Sequence, residues 1–171
     1  LIIKHLNHAS KVVAIPSIKL DRFGITEKAL RLIEKLEVPF VIMPHDKSAV
    51  SEHHSQYAGF YAGLLSDEGT SAIVEGADLV LNLGDALWSD FNTSGFTNNL
   101  ELNNVLNLAP SYVEDKDTRI TNVYLSELLD ALLVKVQSKK YSVEYSKPTL
   151  VKLPITNANL TLKTLYNQLL H

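Results

Sequence analysis

Apolar positions along the chain change period several times. Residues 11–15 (KVVAI), 38–43 (VPFVIM), 78–84 (DLVLNLG), 104–108 (NVLNL) and 119–123 (RITNV) are short runs rich in aliphatic residues, and such runs predict strands. The run 78–84 is apolar at nearly every position, as expected of a strand covered on both faces. Between these runs the spacing turns helical. Ile25, Ala29, Leu32, Ile33 and Leu36 fall on one face, with Gly24 before them and Pro39 after. A second helix is expected from Ser66, read as its N-cap, through the acids Asp67 and Glu68 to about Ala77. Residues 125–137 place Leu125, Leu128, Leu129, Leu132, Leu133 and Val136 on a single stripe. Residues 1–8 read as the end of a further helix.

Strand and helix thus alternate from residue 10 to about 137. That alternation predicts an α/β fold: a Rossmann-like three-layer sandwich with a mostly parallel sheet of about six strands. Pro16 closes the first run, a position where a missing N–H is tolerated. Residues 138–159 hold two prolines and no helical period, and read as a linker. Residues 160–170 return to helical spacing, with Thr161 as a cap. The division expected is therefore a central domain over 1–137, a linker over 138–159 and the start of a following domain's helix over 160–171.

Charge and composition narrow the function classes. Sixteen basic residues against nineteen acidic ones give a net charge of −3, unlike the basic footprint of a nucleic-acid binder. The absence of cysteine excludes disulfides, thiolate nucleophiles and Cys-ligated zinc. No apolar run reaches the eighteen or so residues of a membrane span, and His5 and His8 interrupt the opening apolar stretch where a signal peptide would need continuity. A cytoplasmic location is the expectation. The sole methionine is Met43, so the chain reads as a piece of a longer protein.

Candidate chemistry is sparse. Gly84-Asp85-Ala86 follows a strand, and Asp is a hard oxygen ligand. No second ligand falls at a convincing distance, and the segment reads as a strand end turning into a loop. His53 and His54 are adjacent in a loop and lack the i, i+4 spacing of a metal pair; they read as solvated. His45 follows a strand, where it would line a cleft. Ser71, Ser89 and Ser94 lack a nucleophile-elbow context. After the first strand the sequence is Pro16-Ser17-Ile18-Lys19-Leu20, without the glycines of a dinucleotide fingerprint. Tyr57-Ala58-Gly59-Phe60-Tyr61-Ala62-Gly63 spaces two glycines four apart among aromatics, which reads as a buried loop crossing the sheet end with tight backbone contact.

Three segments together resemble the central domain of thiamine-diphosphate-dependent 2-oxo acid decarboxylases, the pyruvate and indolepyruvate decarboxylase family. They are Met43-Pro44-His45-Asp46-Lys47-Ser48 with Glu52 through Gly63, Glu75 through Gly84, and Ser89-Asp90-Phe91-Asn92-Thr93-Ser94-Gly95-Phe96-Thr97. They depart from the family pattern at His45 and Ser48, where glycines are usual, and at Ser55, where proline is. The resemblance implies that thiamine diphosphate and Mg²⁺ serve the parent enzyme but bind elsewhere, with no catalytic, cofactor or metal residue in this chain. It implies flanking N-terminal and C-terminal catalytic domains as partners, and a homodimer or homotetramer at full length. Asp90, Phe91, Asn92, Thr93 and Phe96 then form the candidate cleft or interface loop, which either lines the approach to the active site or packs against a neighbouring domain. Two other readings stay open: a nucleotide- or FAD-binding domain of a related thiamine-diphosphate enzyme, and a standalone regulatory or assembly module.

Overall fold

A computed structural model describes residues 1–137, 141–146, 148 and 161. The elements follow one another as α1 (Ile2–His8), β1 (Val12–Pro16), α2 (Lys19–Arg22), α3 (Thr26–Leu36), β2 (Phe40–Ile42), β3 (Tyr57–Phe60), α4 (Glu68–Glu75), β4 (Leu79–Leu83), β5 (Val105–Leu108), β6 (Tyr112–Glu114), β7 (Arg119–Thr121) and α5 (Leu125–Lys135). The strands form one sheet in the order β3-β2-β1-β4-β5-β6-β7. β3, β2, β1, β4 and β5 run parallel, while β6 turns back antiparallel to β5 and β7 turns again antiparallel to β6.

The centre of the sheet is the β1–β4 ladder, with five residues paired from Val12↔Leu79 to Pro16↔Leu83. Every residue of both strands is buried, which explains why neither sequence alternates. Each buried Val or Leu contributes about 1.5–3 kcal/mol. Odd and even positions serve two separate cores. One face gathers Val12, Ala14, Leu79, Leu81, Leu83 and Leu106 under α1, α2, α3 and α5. The other gathers Val13, Ile15, Val80 and Val105 with Val74 of α4 and with Tyr61, Ala86 and Leu100, which lie outside any helix. The second face thus has a single helix among the described residues. Much of the rest is covered by the connection between β4 and β5.

The three-layer α/β expectation holds, with seven strands rather than about six. β3 and β6 are the two strands added to the five runs marked in the sequence. β6 follows β5 after residues 109–111, and a parallel crossover needs a dozen residues or more, so the strand must return antiparallel. β3 is the larger correction: the first four residues of the glycine–aromatic segment are an edge strand beside β2, not a loop. The cap of α4 also moves by one residue. Asp67 accepts from the Thr70 N–H at 2.8 Å, while the Ser66 hydroxyl accepts from the Ala62 N–H. Residues 141–146 and 148 of the expected linker have no regular structure; the helix expected over 160–170 lies, Thr161 apart, outside the described residues.

The two glycines of that segment have distinct physical reasons. Gly59 has φ 141°, and a Cβ there would overlap the Thr70 hydroxyl of α4. Gly63 has φ 58°, and a Cβ there would strike the Thr93 carbonyl. Gly59→Ala is expected to lower the urea unfolding free energy by at least about 2 kcal/mol, since it combines strain with overpacking. Gly24→Ala, at φ 65° but facing open space, is expected to cost only about 1 kcal/mol. Equal losses for the two variants would contradict the packing argument.

Candidate functional site at the carboxyl end of the sheet

The chain runs from β1 to β2 and β3 on one side, then returns to place β4 on the other side of β1. The carboxyl ends of β1 and β4 therefore flank a topological switch point, where open α/β sheets put their ligand crevices. Ser17, Ile18, Lys19, Arg22, His45, Asp46 and Leu87 line a crevice there of about 260 Å³. That is below the roughly 300–1,000 Å³ usual for a ligand pocket.

The crevice is braced by its own charges. Lys19 Nζ donates to the Asp85 carboxylate at 2.7 Å and to the Asp85 carbonyl at 2.9 Å, bridging the segments after β1 and β4. The Ser17 N–H donates to the Leu83 carbonyl at 2.8 Å. Asp46, nearly fully buried, accepts from the Ile18 N–H at 2.8 Å. Burial raises the Asp46 carboxyl above its ordinary value, against the opposing pull of the Ile18 N–H, the Ser17 hydroxyl and the charges of His45 and Lys19.

Residues 90–97 form a coiled turn beside this crevice, and its five candidate residues divide sharply. Asn92 and Thr93 are fully buried. Asn92 Oδ1 accepts from the His45 N–H at 2.8 Å and its amide donates to the Leu87 carbonyl at 2.7 Å. Thr93 Oγ1 donates to the Ser89 carbonyl at 2.7 Å and accepts from the Phe96 N–H at 3.1 Å. These two side chains hold the loop together. Asp90, Phe91 and Phe96 are exposed. The Phe91 ring stacks on His45 with centroids 4.6 Å apart. Ser94 Oγ donates to the Ala62 carbonyl at 2.6 Å, and Thr97 Oγ1 accepts from the Leu64 N–H at 2.9 Å. The loop is thus fastened to the segments after β2 and β3.

Other expected residues separate from this cluster. His45 lies in the crevice wall, as its position after β2 suggested. His53 is exposed, but His54 is not simply solvated: its Nε2 is 3.1 Å from Glu34 Oε1 and its ring lies 5.4 Å from that of Phe40. Asp85 is engaged by Lys19. Among the described residues, no three His, Asp or Glu side chains converge as metal ligands, and no helix is long and apolar enough to cross a membrane. Sequence reasoning missed Lys19 and Asp46. The available signal was a lysine three residues beyond an apolar strand end, but its partner depends on the β1–β4 adjacency.

Comparison with known proteins agrees with this architecture. The family described as "Thiamine pyrophosphate enzyme, central domain" matches residues 1–148. Pyruvate decarboxylase of Hanseniaspora uvarum is 31% identical over 119 residues, covering 70% of this chain and 21% of that protein. Pyruvate decarboxylase of Candida albicans is 31% identical over 134 residues, covering 78% and 24% respectively. Pyruvate decarboxylase isozyme 2 of Saccharomyces cerevisiae is 26% identical over 172 residues, covering 98% and 30%. The chain spans less than a third of the length of these relatives.

Two outcomes test the geometry. Asn92→Ala strands the His45 N–H and the Leu87 carbonyl and is expected to cost about 2–4 kcal/mol in urea unfolding, whereas Asp90→Ala is expected to stay within about 0.5 kcal/mol. The second concerns pH. The folded chain binds the Asp46 proton more tightly than the unfolded chain, so this group's contribution to stability falls as pH rises from 3.8 through the raised value. Asp46→Asn is expected to remove that part of the slope in unfolding measured across pH 4–7; an unchanged slope would contradict it.

Proposed function

The chain belongs to the thiamine pyrophosphate enzyme central-domain family, and from that premise we propose that it is the non-catalytic middle domain of a thiamine-diphosphate-dependent decarboxylase acting on a 2-oxo acid of the pyruvate or indolepyruvate type. Its partners are the N-terminal and C-terminal catalytic domains of the same enzyme, assembled as a homodimer or homotetramer in the cytoplasm. Its own work is mechanical. It spaces those domains and presents residues 90–97 to them.

The observation that carries this reading is the internal engagement of the polar groups around the central strand end. Asn82 is buried and holds Ala86 and Asn107, through 2.7 Å and 2.9 Å bonds to the Ala86 backbone and a 2.8 Å bond to Asn107 Oδ1. Asp85 is held by Lys19. The aspartate and asparagine that would have to supply oxygens to a magnesium diphosphate thus serve the fold instead. The described residues do not fit thiamine diphosphate, which supplies the electron sink for decarboxylation where it binds. A nucleotide pyrophosphate fits no better, because Ser17, Ile18 and Lys19 stand where a glycine turn would let the backbone approach it.

Incubated alone with pyruvate or indolepyruvate, thiamine diphosphate and Mg²⁺, the 171-residue chain is expected to release no CO₂. Calorimetry is expected to record no stoichiometric uptake of the cofactor. The full-length polypeptide is expected to release CO₂ from one of these acids. Decarboxylation by the chain alone would overturn the proposal. A rise of several degrees in melting temperature with FAD or ADP would move the chain to a nucleotide-binding role through ligand linkage.

A further inference from the structure

Resting on the reading of this chain as the middle of a longer enzyme, we propose that Leu64, Leu65 and Phe96 form the docking patch for the domain that follows this chain in the same polypeptide. Leu64, Leu65 and Phe96 are 79%, 76% and 67% exposed. Three large apolar side chains at one end of a domain are more than the scattered surface leucine that needs no explanation.

The patch is built rather than incidental. The turn bearing Phe96 is fixed to the turn bearing Leu64 by the Thr97–Leu64 and Ser94–Ala62 hydrogen bonds. Gly63 permits the close approach of the Thr93 carbonyl that brings the two turns together. Phe96 itself has φ 61°, a left-handed backbone that a bulky residue rarely adopts. Its N–H bond to Thr93 Oγ1 holds it there. Among the described residues nothing shields most of the Phe96 ring. Burial of that ring against another domain offsets the strain.

The path of the chain selects the occupant. Glu144, Tyr145 and Pro148 share a hollow with Asp67 and Thr70, and Asp67 lies two residues beyond Leu65. At Glu144, Tyr145 and Pro148 the chain therefore lies beside the turn that carries the patch. The incoming end is elsewhere: Ile2 and Leu6 of α1 belong to the core on the opposite face of the sheet. The relatives are more than three times as long as the matched segment, which leaves ample chain to form the docked domain.

The test uses the full-length protein, with Leu65 or Phe96 replaced by the photocrosslinker p-benzoylphenylalanine. Irradiation of a mixture of isotopically light and heavy protein separates crosslinks within one polypeptide from those between copies. Crosslinks to residues beyond 171 of the same polypeptide are expected. Crosslinks to a second copy, to the domain preceding residue 1, or to nothing would overturn the proposal. Leu65→Ser combined with Phe96→Ser is expected to speed proteolytic cutting between the two domains roughly tenfold; an unchanged rate, or an equal effect from Phe23→Ser on another exposed turn, would also overturn it. A reading frame that stops near residue 171 would remove the parent enzyme as well, and is read from the gene before any crosslink is made.

Discussion

Burial of β1 and β4 on both faces is the constraint from which the rest of the domain follows. A strand covered on both sides requires two layers, and the first is supplied by α1, α2, α3 and α5. Among the described residues the second contains one eight-residue helix, α4. A helix that short cannot shield a seven-stranded sheet. The connection from β4 to β5 must lie down as a layer of its own, and it does so with Ala86 and Leu100 against Val80 and Val105. Buried irregular backbone has polar groups to satisfy. Polar side chains are placed where those groups arise: Asn82 of β4 beneath Ala86, and within the connection Asn92 between Leu87 and His45 and Thr93 across Ser89 and Phe96.

This necessity changes the meaning of the candidate loop. Asn92 and Thr93 face inward and its aromatic residues outward, the reverse of an ordinary surface turn. Asn92 and Thr93 act as internal fasteners, while Phe91 and Phe96 are what the loop offers to its surroundings. The Lys19–Asp85 bridge does the same for the neighbouring crevice, tying the ends of the two central strands by charge across the switch point. In a partly buried setting such a pair fixes geometry more dependably than it adds stability.

Much of this organisation was legible in the sequence, because long apolar runs and helical stripes report burial directly. β1, β4 and β5, with α3 and α5, fall within a residue or two of their expected limits. The failures share a cause: each element drew its structure from a neighbour rather than from its own pattern. β3 has four residues, one of them Gly59, and is a strand because β2 lies beside it. β6 has three residues and returns only because the short turn after β5 dictates the hairpin, whereas β7, marked by the run 119–123, completes the pairing. His54 sits among Phe40 and Glu34, contacts that span fourteen and twenty residues of chain. The candidate loop was found as a segment, but which of its side chains point inward depends on the one-helix second layer, and no local pattern records that.

The burial of Asn92 has a consequence for covalent modification. Asn92-Thr93-Ser94 spells an acceptor sequence for N-linked sugar. In the folded chain the acceptor amide nitrogen already donates to the Leu87 carbonyl and the side chain meets no solvent. A transferase encountering the finished domain finds the tripeptide closed to it. One acting on the nascent chain would plant a bulky glycan at the point where the turn has to seal, so that decoration and folding exclude each other at this asparagine.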